Sequence, residues 1–406
     1  MKVTFIFSGL PHYLIALLNK LVHVHGLDVS VIIPEKRGIS IGEGVKLEDA
    51  DLDYLFTVDR VEEYRGMLGK PYFRNLNLAL NRISPDILII GWPFILNLFF
   101  DIKTRRVLKR NKISLVYREI PFMVAPRNKA LQYYRKHPVM NENLEVENPT
   151  GLMFYPWAIA LNQMRIRYYR MADATMIYSS PGVEIHESFG IPRERIFITF
   201  NSPDTDNLAI RQKQLRQRGV RVSNPKRILH LGRLVKWKRV DLLIEAIGKL
   251  SGKHDTIELV VIGAGPEEEN LKKLAAQKVP GDRVRFLGSI YDPEALATEI
   301  ISSAIYVLAG MGGLSINEAM AFGLPVICSR CDGTETDLVE DGVNGFFFEE
   351  GSAADLAVKI DTLLNDPDRT REMGNKALSV IQDKINLDTV VQRYMDCFQY
   401  VMKKKA

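Results

Sequence analysis

Short runs of uninterrupted apolar residues alternate along the chain with stretches whose apolar positions recur every three to four residues. "KVTFIF", "DVSVIIP", "PDILIIG", "ISLVYREI" and "ATMIYSS" are of the first kind. Strands of a parallel sheet are buried on both faces, so they read as continuous Val/Ile/Leu runs rather than as an alternation. "YLIALLNKLVHVHG" is of the second kind, with Leu14, Leu17, Leu18 and Leu21 at helical spacing and Gly26 as the stop. A basic helix is expected over 101–112. The pattern begins again with "RILHLG", "IELVVIG", "RVRFLG", "AIYVLAG", "LPVICS" and "GFFFEE", separated by helical stretches such as "VDLLIEAIGKL". Strand–helix–strand alternation of this length predicts an α/β protein with two doubly wound parallel sheets in tandem. The boundaries read as a first domain over 1–205, a linker over 206–226, a second domain over 227–385 and a closing helix over 386–406. Ligands of such sheets bind outside the carboxyl ends of the strands.

Length agrees with this division, since 406 residues suggest two or three domains. With 46% hydrophobic and 25% charged residues, the composition is that of an ordinary globular chain. No apolar stretch reaches the roughly 18 residues that span a bilayer, and "GWPFILNLFF" is about half that length. The opening "MKVTFIFSGLPHY" reads as a strand and a turn rather than a secretory signal, which leads us to expect a cytoplasmic protein. Three cysteines do not make a disulfide framework. Cys328 closes a strand and Cys331 lies in the following loop, so this pair reads as structural, being neither a zinc half-site nor a redox motif.

Charge adds one feature. The net +5 is mild, but residues 101–137 hold eleven Lys or Arg against Asp101 and Glu119. This block contains Tyr133 and Tyr134 and follows directly on Trp92, Phe94, Phe99 and Phe100. It is either a solvated face or a surface for anionic membranes or phosphate-rich partners. Residues 211–227 hold seven basic residues and no acid, and read as a solvated linker. No recognised nucleic-acid-binding module accompanies either block, so nucleic acid is not an expected partner.

The chemistry concentrates in the second half. Arg233 follows a strand end and Lys238 lies five residues on, where a guanidinium fork and an ammonium could hold two phosphates. In "AGMGGLSINEAMAFGLPVICS" a glycine turn runs into a short helix. Glycine lets backbone approach a ligand closely, and a helix start offers free N–H groups to an anion. Glu318 sits one turn inside, placed to accept ribose hydroxyls or else to be a surface acid.

"LHLGRLVKWKRVDLLIEAI", "LVVIGAGPEEENLKKL", "VRFLG" and "GLSINEAMAFGLPVI", in this order and spacing, resemble the family 4 retaining glycosyltransferases of the GT-B fold. The resemblance runs from about Arg227 to Asp366. It extends more weakly through "MKVTFIFSGL", "RMADATMIYSS" and "GIPRERIFITFNSPD". It implies two Rossmann-like domains facing a central cleft and transfer of a sugar from a nucleoside diphosphate, with a UDP-sugar as the favoured donor. The acceptor would be a hydroxyl of a saccharide or lipid-linked saccharide. By the same resemblance Arg233 and Lys238 bind the diphosphate, and Gly312, Gly313, Leu314 and Ser315 cradle it. Glu318 then contacts ribose, Leu287 and Ile290 flank the base, and Gly9 belongs to a loop closing over the phosphates. No protein nucleophile is required, because the leaving diphosphate takes the acceptor proton. No Asp/His cluster of metal-ligand spacing is visible, so no cofactor or metal is expected.

Two departures stand out. The family's first glutamate of this turn, eight positions before the second, is Gly310 here. Its histidine after the strand "ISLVYREIPF" is replaced by Arg118 and Glu119, both expected at a strand end facing the cleft. Glu119 is thus either a weak base or part of a salt bridge, while His12 reads as a loop histidine. These departures keep open a non-catalytic sugar-nucleotide-binding subunit. An epimerase would need acid/base carboxylates that the sequence does not place.

Overall fold

The computed structural model describes residues 1–36, 54–66, 69–119, 124–141 and 143–404. The chain divides into two compact units: residues 1–137, 149–200 and 388–406 form the first, residues 138–148 and 201–387 the second.

In the first unit the strands are β1 (Lys2–Ile6), β2 (Asp28–Pro34), β3 (Thr57–Val61), β4 (Glu63–Arg65), β5 (Pro71–Phe73), β6 (Ile87–Gly91), β7 (Ser114–Glu119), β8 (Ala174–Ile177) and β9 (Ile196–Ile198). Seven of these form one parallel sheet in the order β3-β2-β1-β6-β7-β8-β9, and β4 and β5 form a small antiparallel hairpin. Val3, Phe5, Ile87 and Val116 are fully or almost fully buried, as expected of strands covered on both faces. One cover is the helix Leu387–Lys403, whose Tyr394 and Phe398 rings lie 6.2 and 6.4 Å from the Phe5 ring.

The second unit holds β10 (Arg227–Leu231), β11 (Glu258–Ile262), β12 (Val284–Phe286), β13 (Ile305–Leu308), β14 (Val326–Cys328) and β15 (Gly345–Phe347), all parallel, in the order β12-β11-β10-β13-β14-β15. From β10 the chain winds outward to β11 and β12, then returns to β13 on the other side. The topological switch therefore falls between β10 and β13, and this is where an open α/β sheet leaves its ligand crevice.

The expected linker is not a linker. Thr205–Gln217 is a helix capped by Asp204, and it belongs to the second unit. Its Gln212 side chain donates to the Ala321 carbonyl and Arg216 to that of Phe322, so polar groups, not an apolar stripe, fasten it. Segment 138–148 also belongs to the second unit, which the sequence did not suggest. The basic helix runs Ile102–Arg110 with Asp101 as its cap. His12 begins the helix His12–His25 rather than sitting in a loop.

Candidate functional site

The end of β10 and the end of β13 meet at the switch point, and the sequence supplies glycine on both. After β10 comes Gly232 at φ 155°, whose N–H donates to the Ile262 carbonyl at the end of β11. Half-buried Arg233 follows, and the chain then makes a 3-10 turn, Lys236–Lys238. That turn packs against the segment leaving β13. Met311 N–H donates to the Trp237 carbonyl at 2.9 Å. Lys238 Nζ donates to the Met311 carbonyl at 2.8 Å and to the Gly312 carbonyl. The cation and the glycine turn, 73 residues apart in sequence, are thus one construction.

This packing explains Gly310. A Cβ there would lie 2.1 Å from the Trp237 carbonyl oxygen, well inside contact distance and against rigid backbone. The close approach that seats Lys238 thus leaves no room for a side chain at this position. Gly310→Ala should lower stability by about 1–3 kcal/mol, the usual cost of overpacking. Denaturant unfolding would check it, and an unchanged midpoint would contradict the close approach.

Beyond the turn, Gly313 adopts φ 151°, which favours glycine, and the helix Ser315–Ala321 begins. The backbone N–H groups of Gly313, Leu314 and Ser315 have no acceptor among the described residues. The Ser315 hydroxyl is engaged, accepting from the Tyr306 hydroxyl at 2.7 Å. Glu318 is half-buried, and no described group hydrogen-bonds its carboxylate. Burial pushes its pKa up to about 7. A desolvated carboxylate without a protein partner is costly, and hydroxyl donors from a ligand would relieve it. Leu287 and Ile290 leave β12 on the same carboxyl edge, with Leu287 N–H on the Val261 carbonyl.

Sequence reasoning missed three supporting side chains. His230 is fully buried in β10, with Nδ1 3.2 Å from the Val307 carbonyl. That carbonyl makes Nδ1 the protonated nitrogen. Burial brings the pKa down to about 4, so the ring is neutral beside the Lys238 charge. Asp332 lies against Gly312, where a Cβ would come 2.4 Å from its Oδ2. Glu335, buried, accepts from the N–H groups of Cys331 and Gly333 at 2.9 and 3.1 Å and holds the Asp332 loop in place. Burial, then the Asp332 charge, pushes the Glu335 pKa up to about 7. The Asp-Gly pair in "CDGTETD" was the one visible signal, as a turn. Cys328 and Cys331 are free thiols held protonated, Cys331 pushed up to about 12 by burial, in keeping with a structural role.

The remaining candidates are in the first unit, and one is corrected. Glu119 does not stand open at a strand end. It is buried, bonded to His186 Nε2 at 3.0 Å, to the Tyr117 hydroxyl at 3.1 Å and to the Tyr169 hydroxyl. Its oxygens are consumed by this network, which leaves no role as a base. Arg118 lies over the Phe7 and Tyr178 rings at 5.2 and 4.6 Å. Gly9 is half-buried just past β1.

Two doubly wound units in one chain, the second with cations and a glycine elbow at its switch point, define the GT-B class of glycosyltransferase fold. HepE of Anabaena in complex with UDP superimposes at a TM-score of 0.66 with 19% identity, over 98% of this chain and 100% of that one. Residues 211–380 match the model of the family Glycosyl transferases group 1. An uncharacterized glycosyltransferase of Haemophilus influenzae is 34% identical over 161 residues, 39% of this chain and 45% of the relative. The poly(ribitol-phosphate) alpha-N-acetylglucosaminyltransferase of Staphylococcus aureus is 28% identical over 172 residues, 42% of this chain and 34% of the relative. The matches thus span less than half the length of these two relatives.

Proposed function

We propose that this protein is a retaining glycosyltransferase that moves a sugar from a nucleoside diphosphate, a UDP-sugar by preference, to a hydroxyl of a saccharide or lipid-linked acceptor in polysaccharide or glycolipid synthesis. The observation that carries the reading is the joint built by Lys238 and the glycine turn, beside three amides without acceptors. A diphosphate seated there meets Arg233, Lys238 and the elbow amides. These groups neutralise the charge that grows on the leaving phosphate as the sugar departs. In this reading the leaving phosphate oxygen takes the acceptor hydroxyl's proton on the face being attacked. Glu318 receives ribose hydroxyls. HepE has also been crystallised with UDP-glucose, which supports the donor preference.

Among the described residues no helix is long and apolar enough to cross a membrane. In this reading the basic, aromatic stretch 92–137 holds the protein peripherally on an anionic membrane surface that carries the acceptor. A non-catalytic nucleotide-sugar-binding subunit is the second reading, favoured by Gly310 and by the engagement of Glu119.

A thermal-shift panel of UDP-, GDP- and ADP-sugars tests the donor, since a ligand of the native state alone raises Tm. The UDP-sugar should give the largest rise. Glu318 adds a pH signature. Its carboxyl is largely protonated below pH 7, and ribose hydroxyls favour the ionised form. UDP-glucose affinity should therefore fall as pH drops below about 7, approaching about tenfold per unit. Binding should release a proton, and Glu318→Gln should remove the dependence. Calorimetry in two buffers would read this, and a flat wild-type profile would defeat the ribose assignment. Turnover of a bound donor separates the enzyme from the binding subunit.

A further inference from the structure

The first unit has a concavity away from the carboxyl edge of its sheet. Ser114 and Leu115 begin β7, and Met171 and Asp173 immediately precede β8; together they border a cavity of about 430 Å³. It therefore opens at the amino ends of the strands. The six residues of β7 separate it from the opposite edge by about 20 Å.

Its lining has two characters. Arg105, Lys109, Lys112 and Lys404 bring four cations to it, against one carboxylate, Asp173. That carboxylate is already engaged by the Leu115 N–H at 2.8 Å. Leu108, Ile113, Met171 and Val401 make the apolar part. Arg105 and Lys109 are four apart on one face of the helix Ile102–Arg110, and Lys112, in the turn that follows, lines the same cavity. None of the three has an ion-pair partner among the described residues. An anion seated among them would relieve their mutual repulsion.

Cations alone would suit a free phosphate and an apolar wall alone would suit a neutral ligand. Both together fit a phosphate ester on an apolar stem. We propose that this cavity binds a phosphate-headed amphiphile, the phosphate on the cations and the stem against the apolar wall. The site is separate from the donor site and does not depend on it.

The probes are dihexanoyl phosphatidylglycerol below its micelle concentration, glycerol phosphate, and phosphatidylcholine vesicles with or without phosphatidylglycerol. The variant Arg105→Gln/Lys109→Gln/Lys112→Gln changes only exposed side chains. The wild type should bind the short-chain lipid more tightly than glycerol phosphate. The variant should lose on the order of 100-fold in affinity, from three cations each contributing roughly fivefold. Its Tm rise with UDP-glucose should stay, which keeps failure here distinct from failure of the donor reading. If flotation with anionic vesicles falls with the soluble binding, the bilayer is the source. If flotation persists while soluble binding is lost, the ligand is a single dissolved amphiphile. Equal binding by variant and wild type, or glycerol phosphate binding as well as the lipid, would overturn the proposal.

Discussion

Lys238→Ala is expected to lower the rate of sugar transfer on the order of 10²–10³-fold, the usual loss when one preorganised group is removed from developing transition-state charge. The expectation has two parts. The ammonium supplies positive charge where the diphosphate leaves, and it also ties the Met311 and Gly312 carbonyls to the turn after β10. A substitution that removed only the tie would lower Tm and weaken donor binding. One that removed only the charge would lower kcat with Tm intact. Lys238→Met, which keeps most of the side-chain volume, should therefore lower kcat strongly and Tm modestly. Single-turnover rates with bound UDP-glucose, measured beside thermal melts, separate the two contributions. A Lys238→Met protein with wild-type turnover would remove the diphosphate clamp from the mechanism.

The largest stability effect is expected at Glu119. Glu119→Ala leaves His186 and the hydroxyls of Tyr117 and Tyr169 without their shared acceptor, and Arg165 without a neighbouring negative charge, inside a packed unit. Removing one member of such a buried network costs about 3–5 kcal/mol. Burial works to raise the Glu119 pKa. The His186 hydrogen bond and charge, then Arg165 and the Tyr169 hydrogen bond, outweigh it and hold the pKa below the ordinary carboxylate value. The sign follows from linkage: a carboxyl whose folded pKa lies below its unfolded one stabilises above the unfolded pKa and loses that contribution as pH falls through the folded one. The gap between wild type and Glu119→Gln should thus be widest near neutrality and shrink below about pH 4. Urea unfolding at pH 7 and at about pH 3 would measure it. A Glu119→Ala protein within 1 kcal/mol of wild type would contradict the network's role.

Most strands of the two parallel sheets were legible because they are buried on two faces and so announce themselves as apolar runs; β3, "TVDRV", and β9, "IFI", at the two edges of their sheet, are partly exposed and were not read as strands. The β4–β5 hairpin was not, because "EYR" and "PYF" are too short and mixed to show a period. The helix Thr205–Gln217 hid behind its charge. It buries Thr205, Gln212 and Leu215, so no apolar stripe marks it. At the candidate site, Arg233, Lys238, the glycine turn and Glu318 were visible because local chemistry selects them. The Lys238 tie to the Met311 and Gly312 carbonyls was invisible, since it joins residues far apart in sequence. For the same reason the sequence left Glu119 between a base and a salt bridge and did not show its burial. Its partners come from the helix Phe154–Met171 and from His186, and nothing near β7 in sequence announces them.

The membership of residues 388–406 in the first unit bears on how the chain is made. Synthesis delivers every strand of that unit well before the helix whose Tyr394 and Phe398 cover Phe5. Until that helix leaves the ribosome, the part of the amino-terminal sheet around Phe5 lacks this cover, although the intervening unit already has all its strands. The nascent protein therefore finishes its second half first, and the half begun earliest waits for chaperone or solvent to tolerate a bare Phe5.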